Sequence, residues 1–254
     1  MNLRDDPLLL FALCFTALWL AAQTGAYFGR KRAKPDDSER EDLGVILSAA
    51  LTLLGLIIAF SFAMATSRYD QRKNYEEAEA NAIGTEHARA DLLPTADAAR
   101  VRRLLRSYLD QRILFYKTRE AGRLNQINAS TAQLQNDLWS TVQAPSVAQP
   151  TPIAALALSG MNDVLNSQGY TQAAWRNRIP VAAWILMVAV GISCNLMFGY
   201  YARHSERKNR QFLVLPLIAS VAFFLIADMD SPRGGVIWVS PQNLVSLADS
   251  MRGQ

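Results

Sequence analysis

Apolar and polar positions are segregated along the chain into long blocks. Residues 7–29, 43–66, 179–202 and 211–227 are nearly free of charge, and most ionisable side chains lie between or outside them. A helix rises ~1.5 Å per residue and a bilayer core is ~30 Å thick, so a span needs ~20 apolar residues. The first three blocks reach that length, and the fourth does so with Met229 and its flanking aspartates at the interface. The pattern predicts an all-α chain with four transmembrane helices and a helical extramembrane domain inserted between the second and third. Residues 1–66 carry the first two spans and a short basic loop, 67–178 form the domain, 179–230 carry the last two spans, and 231–254 are a C-terminal tail.

Helical periodicity continues in the polar segment. No proline falls between Pro35 and Pro94, so the second span reads as one helix from about Leu43 to Leu93, roughly 75 Å long. Gly84 weakens it by ~1 kcal/mol relative to alanine and marks a close contact or a break. Thr95 reads as the N-cap of a helix with Val101, Leu104, Leu105, Tyr108, Leu109 and Ile113 on one face. Leu124, Ile127, Leu134, Leu138 and Val142 suggest another, followed by a loop over 144–150. Thr151 and Pro152 fit N-cap and N1 of a last helix with Ile153, Leu156, Met161, Val164 and Leu165 on one side.

Composition sharpens this picture. The chain of 254 residues is 50% hydrophobic and 19% charged, and the uneven distribution excludes both a soluble globular protein and a disordered chain. The first block is a span and not a secretory signal, because its basic residues follow the apolar run. Trp19, Tyr27, Phe28, Trp175, Tyr200 and Tyr201 lie near span ends, where aromatic rings are favoured. Four spans leave two short loops on one face of the membrane. The first holds Arg30, Lys31, Arg32, Lys34 and Arg40, and the second Arg203, Arg207, Lys208 and Arg210. Across the membrane stand Arg4, Arg68, Arg72, Lys73, Arg176, Arg178 and Arg233. Short basic loops stay in the cytoplasm, which places the large domain outside it. The net charge of +4 gives no case for nucleic acid.

A search for chemistry returns little. Cys14 and Cys194 sit in apolar blocks and form no disulfide framework. His87 and His204, the only histidines, read as solvated surface groups, and no nucleophile–base–orienter set surrounds either. Glu76, Glu77 and Glu79 neighbour Arg72 and Lys73 and read as a solvated helix face, and Arg102, Arg103 and Arg106 read likewise. Asp228 and Asp230 close the fourth span. Two carboxylates at a membrane boundary are either an interfacial cap paired with Arg233 or an ion site. No catalytic, cofactor-binding or metal-binding residues are assigned, and an enzyme is not expected.

The second span is the candidate functional surface. Leu56, Phe60 and Met64 recur every four residues and share a helix face, with Gly55, Ala59, Ser61, Ala63 and Ala65 between them. Such a face packs against lipid and neighbouring helices, or forms an apolar ring around an axis that gates by dewetting.

The stretch from Leu53 to Asp70 resembles the second transmembrane helix of bestrophin channels. Leu56, Phe60 and Met64 stand where those channels place bulky residues of the pore neck. The resemblance is closer to a bacterial bestrophin-like family, through residues 67–72, 79–85, 89–94, 228–232 and 235–241. It implies four spans, a helical domain and a homo-oligomeric ring around the second span, in a bacterial inner membrane. Bestrophins are pentameric anion channels whose domain is cytoplasmic, opposite to the charge count above. The acidic calcium clasp of animal bestrophins has no counterpart, since only Asp249 is acidic after Pro232. Two readings follow. One is an ion channel with Leu56, Phe60 and Met64 lining the pore and Arg68 and Arg72 in a vestibule that attracts anions. Its partners are the lipid bilayer, further copies of the chain and small inorganic ions. The other is a non-conducting scaffold or sensor whose domain binds a partner.

Overall fold

The computed structural model describes residues 6–31, 36–148, 150–202 and 211–253. The described chain is helical: α1 (Pro7–Arg30), α2 (Asp37–Arg89), α3 (Thr95–Lys117), α4 (Ala121–Ala148), α5 (Pro152–Arg176), α6 (Val181–Tyr201), α7 (Gln211–Asp230) and α8 (Gln242–Arg252), with a 3-10 turn at Ala90–Leu92. Four helical runs are long and apolar enough to cross a membrane: Pro7–Arg30, Ser38–Leu92, Pro152–Tyr201 and Phe212–Asp230. Arg4, Arg32, Lys34, Arg203, His204, Arg207, Lys208 and Arg210 lie outside the described residues.

Two compact units form. One contains the chain up to Arg68 and Arg178–Trp238; the other contains Tyr69–Asn177 and the chain from Val239. α2 is unbroken over 53 residues and contributes to both.

In the first unit α1 packs on α6 and α7. Backbones meet where α1 crosses α6: a Cβ on Gly25 would overlap the Leu196 carbonyl oxygen, and one on Gly199 would overlap that of Ala22. Small residues permit such approach between membrane helices, where dispersion contacts replace the hydrophobic drive. Leu18, Leu54, Met187, Phe223 and Ile226 fill the core.

In the second unit α4 packs on α3 and α5, and α8 packs on α3; the polar part of α2 bonds to α3, α5 and α8. Ile83, Val101, Leu105, Leu138, Met161, Val164 and Leu244 make its core. The α3 periodicity holds, with Val101, Leu105, Tyr108 and Leu109 buried. Thr151 caps α5 as expected, accepting a hydrogen bond from the Ala154 amide at 3.1 Å. Gly84 breaks nothing; a Cβ there would stand 3.1 Å from a Leu247 methyl of α8.

Several expectations need correction. Thr95 opens α3 but is not its cap: Pro94 is, without a side-chain bond. The expected loop over 144–150 is helical through Ala148, with Pro145 inside α4. Of the expected α5 face, Met161 and Val164 are buried but Ile153 and Leu156 are half exposed, because Ala157, Gly160 and Thr171 form the packed line. Trp175 is a core residue, its ring centroid 5.0 Å from Phe115 and 5.3 Å from Tyr116. The tail holds an amphipathic helix, α8, with Leu244, Ala248 and Met251 buried.

Candidate functional site

The apolar part of α2 is the least covered of the four spans. Only 11% of its most apolar window is buried within the chain, against 28% for α1 and 44% for α7. One side packs: Leu47, Leu54, Ser61 and Ala65 are buried. Another is bare: Leu56 is 51% exposed, Phe60 64% and Met64 39%. The structure thus brings the three candidate lining residues onto one uncovered face. A Cβ on Gly55, beside them, would meet nothing within 4 Å.

The buried line on α2 advances by sevens, from Leu47 to Leu54 and Ser61, then from Ala65 to Arg72, Glu79 and Glu86. Seven residues are nearly two helical turns, so these positions stay on one side. Beyond Ala65 the line is charged, and partner groups explain why. Arg72 is buried; its Nε donates to the Ala174 carbonyl at 3.3 Å and its Nη2 to that of Asn177 at 3.2 Å. It thereby caps the C-terminal end of α5, where a helix presents unpaired carbonyls and partial negative charge. Glu76 works at the opposite kind of end: the Leu244 amide of α8 donates to it at 3.0 Å and the Asn243 side-chain amide at 2.7 Å. Pro241 at the α8 N-cap offers no side-chain bond of its own, so α2 supplies the cap.

Glu79 forms the most enclosed cluster. It accepts from the Arg112 Nε, from Arg112 Nη2 at 3.3 Å, from the Thr171 hydroxyl at 3.1 Å and from the Tyr116 hydroxyl at 3.2 Å. Burial opposes the Arg112 charge, but Glu79 outweighs it and holds that pKa above its ordinary value. Burial, reinforced by the Glu79 charge, raises the pKa of Tyr116. The expected solvated acidic face is therefore corrected: Glu76 and Glu79 are buried ligands of neighbouring helices, and only Glu77 is exposed. His87 is corrected too. It is buried, and burial, with Arg102 and Arg106 nearby, lowers its pKa.

The vestibule candidates differ from free cations. Arg72 is committed to α5. Arg68 is mostly covered, with its Nη1 3.8 Å from an Asp230 oxygen. The acidic pair is a structural tie. Asp230 accepts from the Ile179 amide at 2.9 Å, joining the end of α7 to the start of α6. Asp228 accepts from the amides of Val236 at 2.8 Å and Ile237 at 2.7 Å, closing the turn that follows α7. Gly235 sits in that turn at φ +80, and a Cβ there would overlap Asp228 Oδ1, so glycine is required. Backbone amides serve both oxygens of Asp228 and one oxygen of Asp230, and no cluster of three or more metal-ligating side chains occurs among the described residues. Sequence reasoning missed Arg112, Thr171 and Asn243. The seven-residue steps on α2 were the available signal for Arg72 and Glu79.

An all-helical chain with four spans and a helical domain inserted after the second defines a multi-pass membrane protein. The chain belongs to the Bestrophin-like family: the family's domain profile matches residues 10–244. A search of curated proteins finds no match. Among solved structures, a bacterial bestrophin homolog from Klebsiella pneumoniae with one tryptophan changed to alanine matches at 12% identity and TM-score 0.67, covering 96% of this chain and 97% of that one. The same homolog with one tyrosine changed to alanine matches at 13% identity and TM-score 0.66, over 95% and 98%. At this identity the likeness concerns the fold.

Proposed function

We propose that the protein is a homo-oligomeric ion channel in which α2 of each copy lines a common axis, with Leu56, Phe60 and Met64 as an apolar neck. The observation that carries this reading is the bare face of α2 beside a packed one. Four helices of one chain fill their own interior, so a hydrated path is easier to build at a symmetry axis. An apolar constriction of such side chains gates by dewetting. Family membership supports the reading, since the solved relatives share the fold and are described as bestrophin homologs.

Arg68 lies one turn beyond Met64 and is the cation nearest the neck that α2 can present. Asp230 offsets part of its charge, and Arg72 caps α5, so anion preference rests on Arg68 and is modest. Planar-bilayer recording of the purified protein tests the reading. Current is expected, with Phe60→Ala altering conductance or open probability. Absence of current across several salts and voltages, with the protein intact, would instead leave a scaffold whose domain binds a partner.

A further inference from the structure

Two glutamates on α2, seven residues apart, are equally buried and differently served. Glu79 and Glu86 are both 0% exposed. Glu79 is bonded by Arg112, Tyr116 and Thr171. Neither oxygen of Glu86 has a hydrogen-bond partner. The Glu86 carboxyl lies against α5 at Gly160, where a Cβ would overlap Oε2. The Arg89 side chain crowds the same glycine, and its Nη1 is 3.5 Å from the Leu156 carbonyl, one turn back on α5. A carboxylate stripped of water and donors is far less stable than the neutral acid.

We propose that Glu86 is a proton-binding site that controls the attachment of α5 to α2: the neutral carboxyl seals the contact at Gly160, and loss of its proton loosens it. The charged groups around it act in opposite senses. Arg89, on its own helix, favours the carboxylate, and Asp163, on α5, opposes it. In the turn after α2, Asp91 is already paired with Arg102 of α3. His87 faces Arg102, Arg106 and Asp91. Burial is the largest influence and pushes Glu86 up to about 8, so its proton is exchanged within the range that cells experience. Gly160 is then explained. Any side chain there would separate the carboxyl from α5.

The proposal goes beyond the channel reading and does not need it. The folded pKa lies above that of the unfolded chain. The contribution of Glu86 to stability is therefore full below about pH 4.5 and falls as pH rises toward about 8, then levels. Glutamine cannot ionise, so Glu86→Gln lacks this slope. The test uses the purified full chain in detergent or bilayer discs. In infrared titration of the wild type, the C=O stretch of a buried carboxylic acid is expected to disappear near pH 8 and to be missing from Glu86→Gln. The difference in Tm between wild type and Glu86→Gln is expected to shift against the wild type between about pH 5 and about pH 8. Hydrogen exchange in residues 156–164, corrected for intrinsic rates, is expected to rise above pH 8 in the wild type only. Parallel Tm profiles, or exchange that rises equally in both proteins, would overturn the proposal. Where the variant fails to fold, the wild-type titration decides alone, and absence of a carboxylic-acid band at neutral pH overturns it.

Discussion

Glu79 of α2 and Arg112 of α3 form an ion pair from which solvent is wholly excluded, both side chains being 0% exposed. Thr171 of α5 and Tyr116 complete the shell around the carboxylate, so three helices are pinned at one point. Isolated charges in such a place are untenable, and paired ones need hydrogen bonds to offset their lost hydration; Glu79 is bonded by Arg112, Tyr116 and Thr171, while Arg112 Nη1 has no partner.

Removing one partner leaves the other uncompensated. Glu79→Ala and Arg112→Ala are each expected to destabilise the protein by ~3–5 kcal/mol. The double variant should cost less than the sum, because the second deletion relieves the charge that the first exposed. Thermal denaturation of the purified chain measures all three. Additive losses would show that the pair does not act as a unit.

The capping of α8 by Glu76 is separable from this cluster. Glu76→Ala removes the acceptor for the Leu244 and Asn243 donors and is expected to cost ~0.5–2 kcal/mol, in the range of a lost N-cap. The loss should be local: hydrogen exchange should rise in residues 242–252 and stay unchanged in α3.

These two sites also show where sequence reading stops. The spans were legible because a bilayer demands long apolar runs, and each such run became a helix. Thr151 and Pro152 announced α5 through local capping chemistry. Glu76 and Glu79, by contrast, look solvated in sequence, since charge ordinarily marks the outside of a helix. Their burial follows from partners distant along the chain, Arg112, Thr171 and Asn243, which no local pattern connects to α2. The amphipathic α8 was hidden by its brevity and by a cap supplied from another helix. Leu56, Phe60 and Met64 were legible as one face, but a chain taken alone leaves that face bare whether lipid or another copy covers it.

The α1–α6 crossing depends on two glycines. Gly25→Val and Gly199→Val each force side-chain atoms into a backbone carbonyl. Each is expected to cost more than the ~1–3 kcal/mol typical of overpacking, because backbone cannot step aside as a side chain does. Yield of folded protein in mild detergent and Tm check this. Gly55→Ala, at an open position of α2, is the control and should lower neither.

The turn after α7 is equally exacting. Gly235→Ala combines a left-handed backbone with overlap on Asp228, and a loss of at least ~1–3 kcal/mol is expected. Asp228→Asn retains an acceptor oxygen for one of the two amides and should cost less than Asp228→Ala. Tm values in that order support the tie; equal losses would contradict it.

The central claim, that the bare face of α2 looks onto further copies of itself, is tested most directly by cross-linking in the membrane. In a chain carrying Cys14→Ala and Cys194→Ala, a single cysteine is placed by Leu56→Cys, Phe60→Cys or Met64→Cys, and vesicles are treated with a short bifunctional thiol reagent. Covalent dimers are expected at these positions and not for Ile218→Cys, on the exposed side of α7. Reagent uptake without any dimer at all three α2 positions would contradict the account.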